Sequence, residues 1–319
     1  MKANSAIRNV SFDDFANIIG LATCLGFAVI DSSSGEFLTD VRTKDDRLCP
    51  YGCNLISTFG MSNIIAVTYL DYNTTDVFIW DRFKAKLLVC CHFDAPITGI
   101  KLRPDVIIAS SQKCIYVMNL SDFKVVAQFE TAFNRDGIFD LTPSHIINMI
   151  VFPAAETGVI GIVDIYDKSV PPRYIHCFKT SILGIKVSHN GRLIAIAGDE
   201  GRQINIYNYP SLQIVARLKR GNCSKINSIS FDEHRNRLAL IDNTETFLVF
   251  DLHQQTEEDA LRPTMKLKYS DNPPMWINFN AKVSGIVGVT SNGGLFKVAT
   301  NSDEKSAICE PIISRLKIK

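Results

Sequence analysis

The chain has 319 residues, 46% of them hydrophobic, with 34 Lys and Arg against 33 Asp and Glu. That length supports a large core, and repeat architectures often reach it as one unit. A formal net charge of +1 excludes a global field that would draw in nucleic acid or a membrane, so any attraction for phosphates has to come from a local patch.

The opening segment, MKANSAIRNVSFDDF, lacks the apolar run of a signal peptide. The longest apolar stretch, residues 18–30, is too short to span a bilayer and contains Thr23 and Gly26. A soluble, cytoplasmic protein is expected. Nine cysteines, an odd number without framework spacing, agree with a reducing compartment. Cys49 and Cys53 have the spacing of half a metal site, but no second Cys/His pair follows, so buried thiols are expected and no metal or cofactor.

Along the chain, apolar strands end in a polar residue again and again: GFAVID to Asp31, VFIWD to Asp81, IYVMN to Asn119, IGIVD to Asp164, INIYN to Asn208 and FLVFD to Asp251. LFKVA, to Ala299, completes the series. Successive ends lie 50, 38, 45, 44, 43 and 48 residues apart. Seven repeats at this interval predict an all-β fold, a single seven-bladed WD-type β-propeller over residues 1–319, with four strands to each blade. Trp80-Asp81 is the one literal WD dipeptide. The runs are short, rich in Val, Ile, Phe and Tyr, and bounded by Gly, Asn, Asp and Ser, which selects strands over helices.

Between the fifth and sixth repeats stands Leu218-Lys219-Arg220-Gly221. With the opening FDDFANIIGLATCLGFAVID (12–31), the run FPAAETGVIGIVDIYDKSVPPRYI (152–175) and GIVGVTSNGGLFKVATNSDEKSAICEP near the end, it makes the chain resemble the PROPPINs, phosphoinositide-binding β-propellers. The likeness is strongest to their WIPI subgroup with a Leu-Arg-Arg-Gly motif. In that family the two basic residues of the motif point into pockets on the neighbouring blades, one headgroup to each. Here Lys219 replaces the first arginine, keeping the charge and losing the bidentate fork, while Arg220 matches the second.

The resemblance implies phosphoinositide-binding roles for further residues. On the blade-five side it selects Lys179, Ser181 and Arg202, with Gly198 where the family has serine. On the blade-six side it selects Thr244, Thr246 and Lys225, but Asp242 replaces a serine and Leu248 a histidine. An aspartate beside a phosphate opposes binding by like-charge repulsion. The bland alternative is that Arg217, Lys219, Arg220 and Lys225 form a solvated turn. The segment 253–275, which corresponds to a membrane-dipping loop, begins acidic with Glu257, Glu258 and Asp259 and offers only Leu261 as an early apolar contact, so a solvated inter-strand loop is expected there rather than an insertion wedge.

No dinucleotide, Walker or triad motif is present, and the six histidines fall in different repeats, so no enzyme activity is expected. The resemblance implies a monomeric effector of phosphatidylinositol 3-phosphate or the 3,5-bisphosphate. It would attach peripherally to phagophore or endosomal membranes and recruit autophagy proteins, such as a lipid-transfer protein, partly through Phe12-Asp13-Asp14-Phe15. The alternative is a WD-repeat interaction scaffold that has lost lipid binding.

Overall fold

The computed structural model describes residues 7–13, 16–42, 52–70, 74–143, 147–167, 169–221, 223–232, 234–244, 246–253, 260–268, 274–280, 285–299 and 309–313. They form seven four-stranded antiparallel sheets, each built from four strands consecutive in the chain. The blades occupy residues 7–42, 53–92, 97–130, 140–176, 184–219, 226–268 and 274–313. The seven repeats of the sequence are the third strand of each blade, from Gly26–Asp31 in blade one to Leu295–Ala299 in blade seven. Among the described residues the only helical element is a 3-10 turn at Asp199–Gly201.

Each blade is sandwiched between two others, so both faces of its inner strands must be apolar. Blade five shows how period-2 geometry meets that demand. In its second strand, Leu193–Gly198, Ile194 and Ile196 join the cluster shared with blade four, while Ala195 and Ala197 join the cluster shared with blade six. Seven such clusters fill the seven interfaces. The last one closes the ring, setting Ile19, Leu21 and Ile30 against Val287, Val289 and Leu295. Asn280 Nδ2 adds hydrogen bonds to Ala16 O (2.6 Å) and Ser32 Oγ (3.0 Å) across the same seam.

The polar residue that ends a third strand caps the turn after it. Asp31 Oδ1 accepts the Ser33 and Ser34 amides, Asp81 Oδ1 those of Phe83 and Lys84, and Asp164 Oδ1 those of Tyr166 and Asp167. These are Asx turns, which explains why the repeat ends in Asp or Asn. The first strands line a central channel of ≈ 390 Å³. Their side chains stitch neighbouring blades: Asn9 accepts from Ile56 N, Ser57 from Leu102 N, Asp140 from Val187 N and Ser228 from Ile277 N.

Candidate functional site

The fourth strand of blade five, Ile214–Lys219, pairs with the third, Gln203–Asn208. Alternation along it buries Leu218 in the interface with blade six and turns Lys219 outward. As an outer strand it would leave an open edge. The return segment of blade six covers it: Leu261 N donates to Arg217 O (2.7 Å) and Lys219 N to Leu261 O (3.0 Å). The Leu261 side chain is buried between blades five and six. The sequence favoured a solvated loop here over a bilayer wedge; Leu261 is instead buried and is the clamp that fixes the backbone under Lys219. Glu257, Glu258 and Asp259 lie outside the described residues.

Arg220 differs more sharply from expectation. Its side chain is 1% exposed and ion-paired with Asp242, 2% exposed, at 2.7 Å. Nη1 donates to Gly201 O (2.6 Å) and Ser224 O (3.1 Å), and Nη2 to Ser224 Oγ and Asp242 Oδ2, both at 2.7 Å. The guanidinium thus faces inward and ties together the blade-five turn, the linker and blade six. Asp242 is the hub. Oδ2 also accepts from Ser224 Oγ (2.8 Å), and Oδ1 accepts from Thr244 N (2.9 Å), Thr244 Oγ1 (2.8 Å) and Thr246 N (2.9 Å). Burial pushes the Asp242 carboxyl up, but the hydrogen bonds from Thr246, Thr244 and Ser224 and the Arg220 charge outweigh it and hold the group below its ordinary range. Burial likewise lowers Arg220, against the pull of Asp242.

The other blade-six residues follow from this hub. Thr244 is exposed, yet its hydroxyl is engaged by Asp242 and lies 3.2 Å from Thr246 Oγ1. Thr246 is buried, as is Leu248, which packs in the interface with blade five. Lys225 is exposed and reaches away, its Nζ donating to Asp136 Oδ1 (2.6 Å).

On the blade-five side the chain keeps exposed cations at one edge. Lys179 and Ser181 are exposed, and Asp199 N donates to Thr180 Oγ1 (2.9 Å), so the 179–181 segment lies against the turn that carries Gly198 and Gly201. Arg202 follows that turn, and its carbonyl accepts from Arg220 N (2.9 Å), which brings it next to Lys219. Arg202 is also exposed, with Nη2 at 3.4 Å from Glu200 Oε2 and Nε donating to Cys223 Sγ (2.7 Å). No described residue forms an ion pair or hydrogen bond with the side-chain ammonium of Lys219 or Lys179.

Two glycines here have packing reasons. A Cβ on Gly198 would stand 2.4 Å from the Phe178 ring, so the place of the family's serine is taken by an aromatic face. Gly201 has φ +84°, and a Cβ there would meet Ser224 O at 2.3 Å. Sequence reasoning missed Phe178, Ser224 and Cys223. The signal for Ser224 was available: a hydroxyl four residues after an arginine opposite an aspartate is the makings of a buried network.

Elsewhere, Asp13 is buried and its Oδ1 accepts from Ile18 N (3.0 Å), so this carboxylate shapes a turn; Asp14 and Phe15 lie outside the described residues. Cys53 is a buried thiol, Cys49 lies outside the described residues, and among those described no metal-holding group of three ligands occurs. No described helix is long and apolar enough to cross a membrane.

A family model described as PROPPIN matches residues 6–287. The chain is 26% identical over 201 residues to Autophagy-related protein 18 of Caenorhabditis elegans, covering 61% of this chain and 48% of that one. It is 23% identical over 268 residues to human WD repeat domain phosphoinositide-interacting protein 1, covering 82% of this chain and 58% of that one. It therefore spans about half the length of these relatives. Among solved structures, Kluyveromyces lactis Hsv2 superposes with a TM-score of 0.77 at 15% identity, over 96% of this chain and 98% of that one. KlAtg21, solved in complex with the coiled-coil of AgAtg16, gives 0.79 at 16% identity over 95% and 98%. These likenesses establish the seven-bladed propeller.

Proposed function

The chain belongs to the PROPPIN family, and from that premise we propose that it is a phosphoinositide-binding effector in autophagy or endosomal membrane traffic. It acts as a binding protein rather than an enzyme. Its ligand is the headgroup of phosphatidylinositol 3-phosphate or the 3,5-bisphosphate, met peripherally at the cytoplasmic face of a phagophore or endosomal membrane, where it recruits autophagy proteins. The names of its relatives support the ligand class and the process. A coiled-coil partner in the KlAtg21 complex supports a recruiting role, and a lipid-transfer protein is the other partner proposed.

The observation that carries this reading is Lys219, exposed at the end of a clamped strand, next to Arg202 and on the same blade edge as Lys179 and Ser181. Lysines of this kind attract phosphate as point charges, and the attraction is screened by salt. The test is co-flotation with vesicles of phosphatidylcholine with and without phosphatidylinositol 3-phosphate. Wild type floats with the phosphorylated lipid at low salt, and Lys219→Ala loses most of that binding. If folded wild type stays at the bottom at low and physiological salt, the lipid reading fails.

A second reading has its own support. The inward-facing Arg220 and the buried Leu261 both favour a WD-repeat scaffold without lipid duty. It predicts that Lys219→Ala leaves every membrane readout unchanged while partner capture persists.

A further inference from the structure

Five hydrogen-bond donors converge on one carboxylate: Arg220 Nη2, Ser224 Oγ, Thr244 N, Thr244 Oγ1 and Thr246 N, all within 2.9 Å of an Asp242 oxygen. A guanidinium, two hydroxyls and two backbone amides are the donor set that recognises a phosphomonoester. The set lies just below the surface, since Thr244 and Gly221 beside it are exposed and a Cβ on Gly221 would meet no atom within 4 Å. We propose that Asp242 is a resident anion: its carboxylate fills a phosphate-binding site built by blade six and closes that site to external phosphate.

The physics is competition for the same donors plus repulsion. A carboxylate with two oxygens accepts about four hydrogen bonds, and here five donors are directed at it, so the groups that would hold a phosphate are engaged by Asp242, and of the guanidinium only Arg220 Nε lacks a partner. A further unit charge brought to about 4 Å is repelled by on the order of a thousandfold in affinity in a surface-type dielectric. The carboxyl is held in its ionised form, so the closure persists at neutral pH. The protein then has one cationic headgroup site, on blade five, and lacks the second tether that would multiply its hold on a vesicle. The inference rests on the phosphoinositide reading only for the identity of the ligand.

The test removes the resident anion in a Lys219→Ala background, so that blade five contributes nothing. Thermal unfolding is followed in sodium phosphate and in sodium chloride of equal ionic strength. The Lys219→Ala parent shows no phosphate-specific shift. Adding Asp242→Ala lowers Tm and makes it responsive: phosphate raises it with the logarithm of its concentration above Kd, by about 4 °C at 100 times its Kd. Asp242→Ser, which keeps a hydroxyl for Thr246 N–H, is the variant to use should the alanine protein not fold. A folded variant with no phosphate-specific rise overturns the proposal. So does a phosphate-specific shift in the parent that disappears with Arg220→Lys.

A vesicle arm separates the ligand sources. If Asp242→Ser alone strengthens binding to phosphatidylinositol 3-phosphate vesicles by about tenfold or more, the opened site takes a lipid headgroup. A phosphate response without vesicle gain means that it takes the free ion, and the resident-anion assignment stands in either case. Failure of the wild type to float removes the lipid reading while leaving the soluble phosphate result intact.

Discussion

The two basic residues of Leu218-Lys219-Arg220-Gly221 should separate cleanly by assay, Arg220 in stability and Lys219 in binding. Arg220→Ala deletes one half of an ion pair whose side chains are 1% and 2% exposed. Breaking such a pair by removing one partner costs about 3–5 kcal/mol. The lower end applies here, because Asp242 keeps its bonds from Ser224, Thr244 and Thr246. The carbonyls of Gly201 and Ser224 also lose the guanidinium donor. With about 2.1 cal/mol/K of unfolding entropy per residue, 1 kcal/mol corresponds to about 1.5 °C for a chain of this length. Arg220→Ala should therefore melt roughly 4–6 °C below wild type by scanning calorimetry. Lys219→Ala, an exposed truncation, should stay within about 0.5 kcal/mol of wild type. If Arg220→Ala melts with wild type yet abolishes vesicle binding, the guanidinium faces a headgroup and the buried network is wrong.

Other perturbations probe the supports of the site. Leu261→Ala should cost about 2–5 kcal/mol and also weaken vesicle binding, because the clamp under Lys219 loosens; unchanged flotation by a folded variant would contradict the clamp. Gly198→Ser, which puts back a hydroxyl, should destabilise by about 1–3 kcal/mol through overpacking against Phe178, and adding Phe178→Ala should recover part of that loss in a double-mutant cycle. Stability should be flat near neutrality and decline in acid. Asp242 and Asp140 both have lowered folded-state values, so they contribute fully above the unfolded carboxyl value and lose that contribution as pH falls through the folded ones. Denaturant midpoints between about pH 6 and pH 3 measure it. Asp242→Asn should shift the midpoint least at the acid end, and an equal loss at every pH would refute the ionic account.

The propeller was legible because one physical constraint repeats seven times. Both faces of the inner strands are buried, and six of the seven third strands end in Asp or Asn, residues able to cap a turn; Asp31, Asp81, Asp164 and Asp251 carried that period openly. The site was only half legible. Motif position identified Lys219 and Arg220, and strand alternation alone would have put Lys219 outside and Leu218 inside. What the sequence could not display is the inward turn of Arg220, which comes after the last strand residue, where period-2 reasoning stops. Asp242 was recognised as hostile to phosphate, but its role as a hub depends on Ser224, 18 residues away on another segment. Gly198 read as a lost hydroxyl, whereas the reason for it is the Phe178 ring, a contact from the connection between blades four and five onto a strand of blade five.

The central claim is that a headgroup is held at the blade-five edge by Lys179, Arg202 and Lys219, while Arg220 and Asp242 stay bound to each other. Hydrogen exchange of wild type, free and on phosphatidylinositol 3-phosphate vesicles, tests it without mutation. Protection should rise in peptides covering residues 178–182, 199–203 and 217–221, and residues 240–248 should exchange equally in both states. Protection confined to residues 240–248, with the blade-five peptides unchanged, would contradict the account.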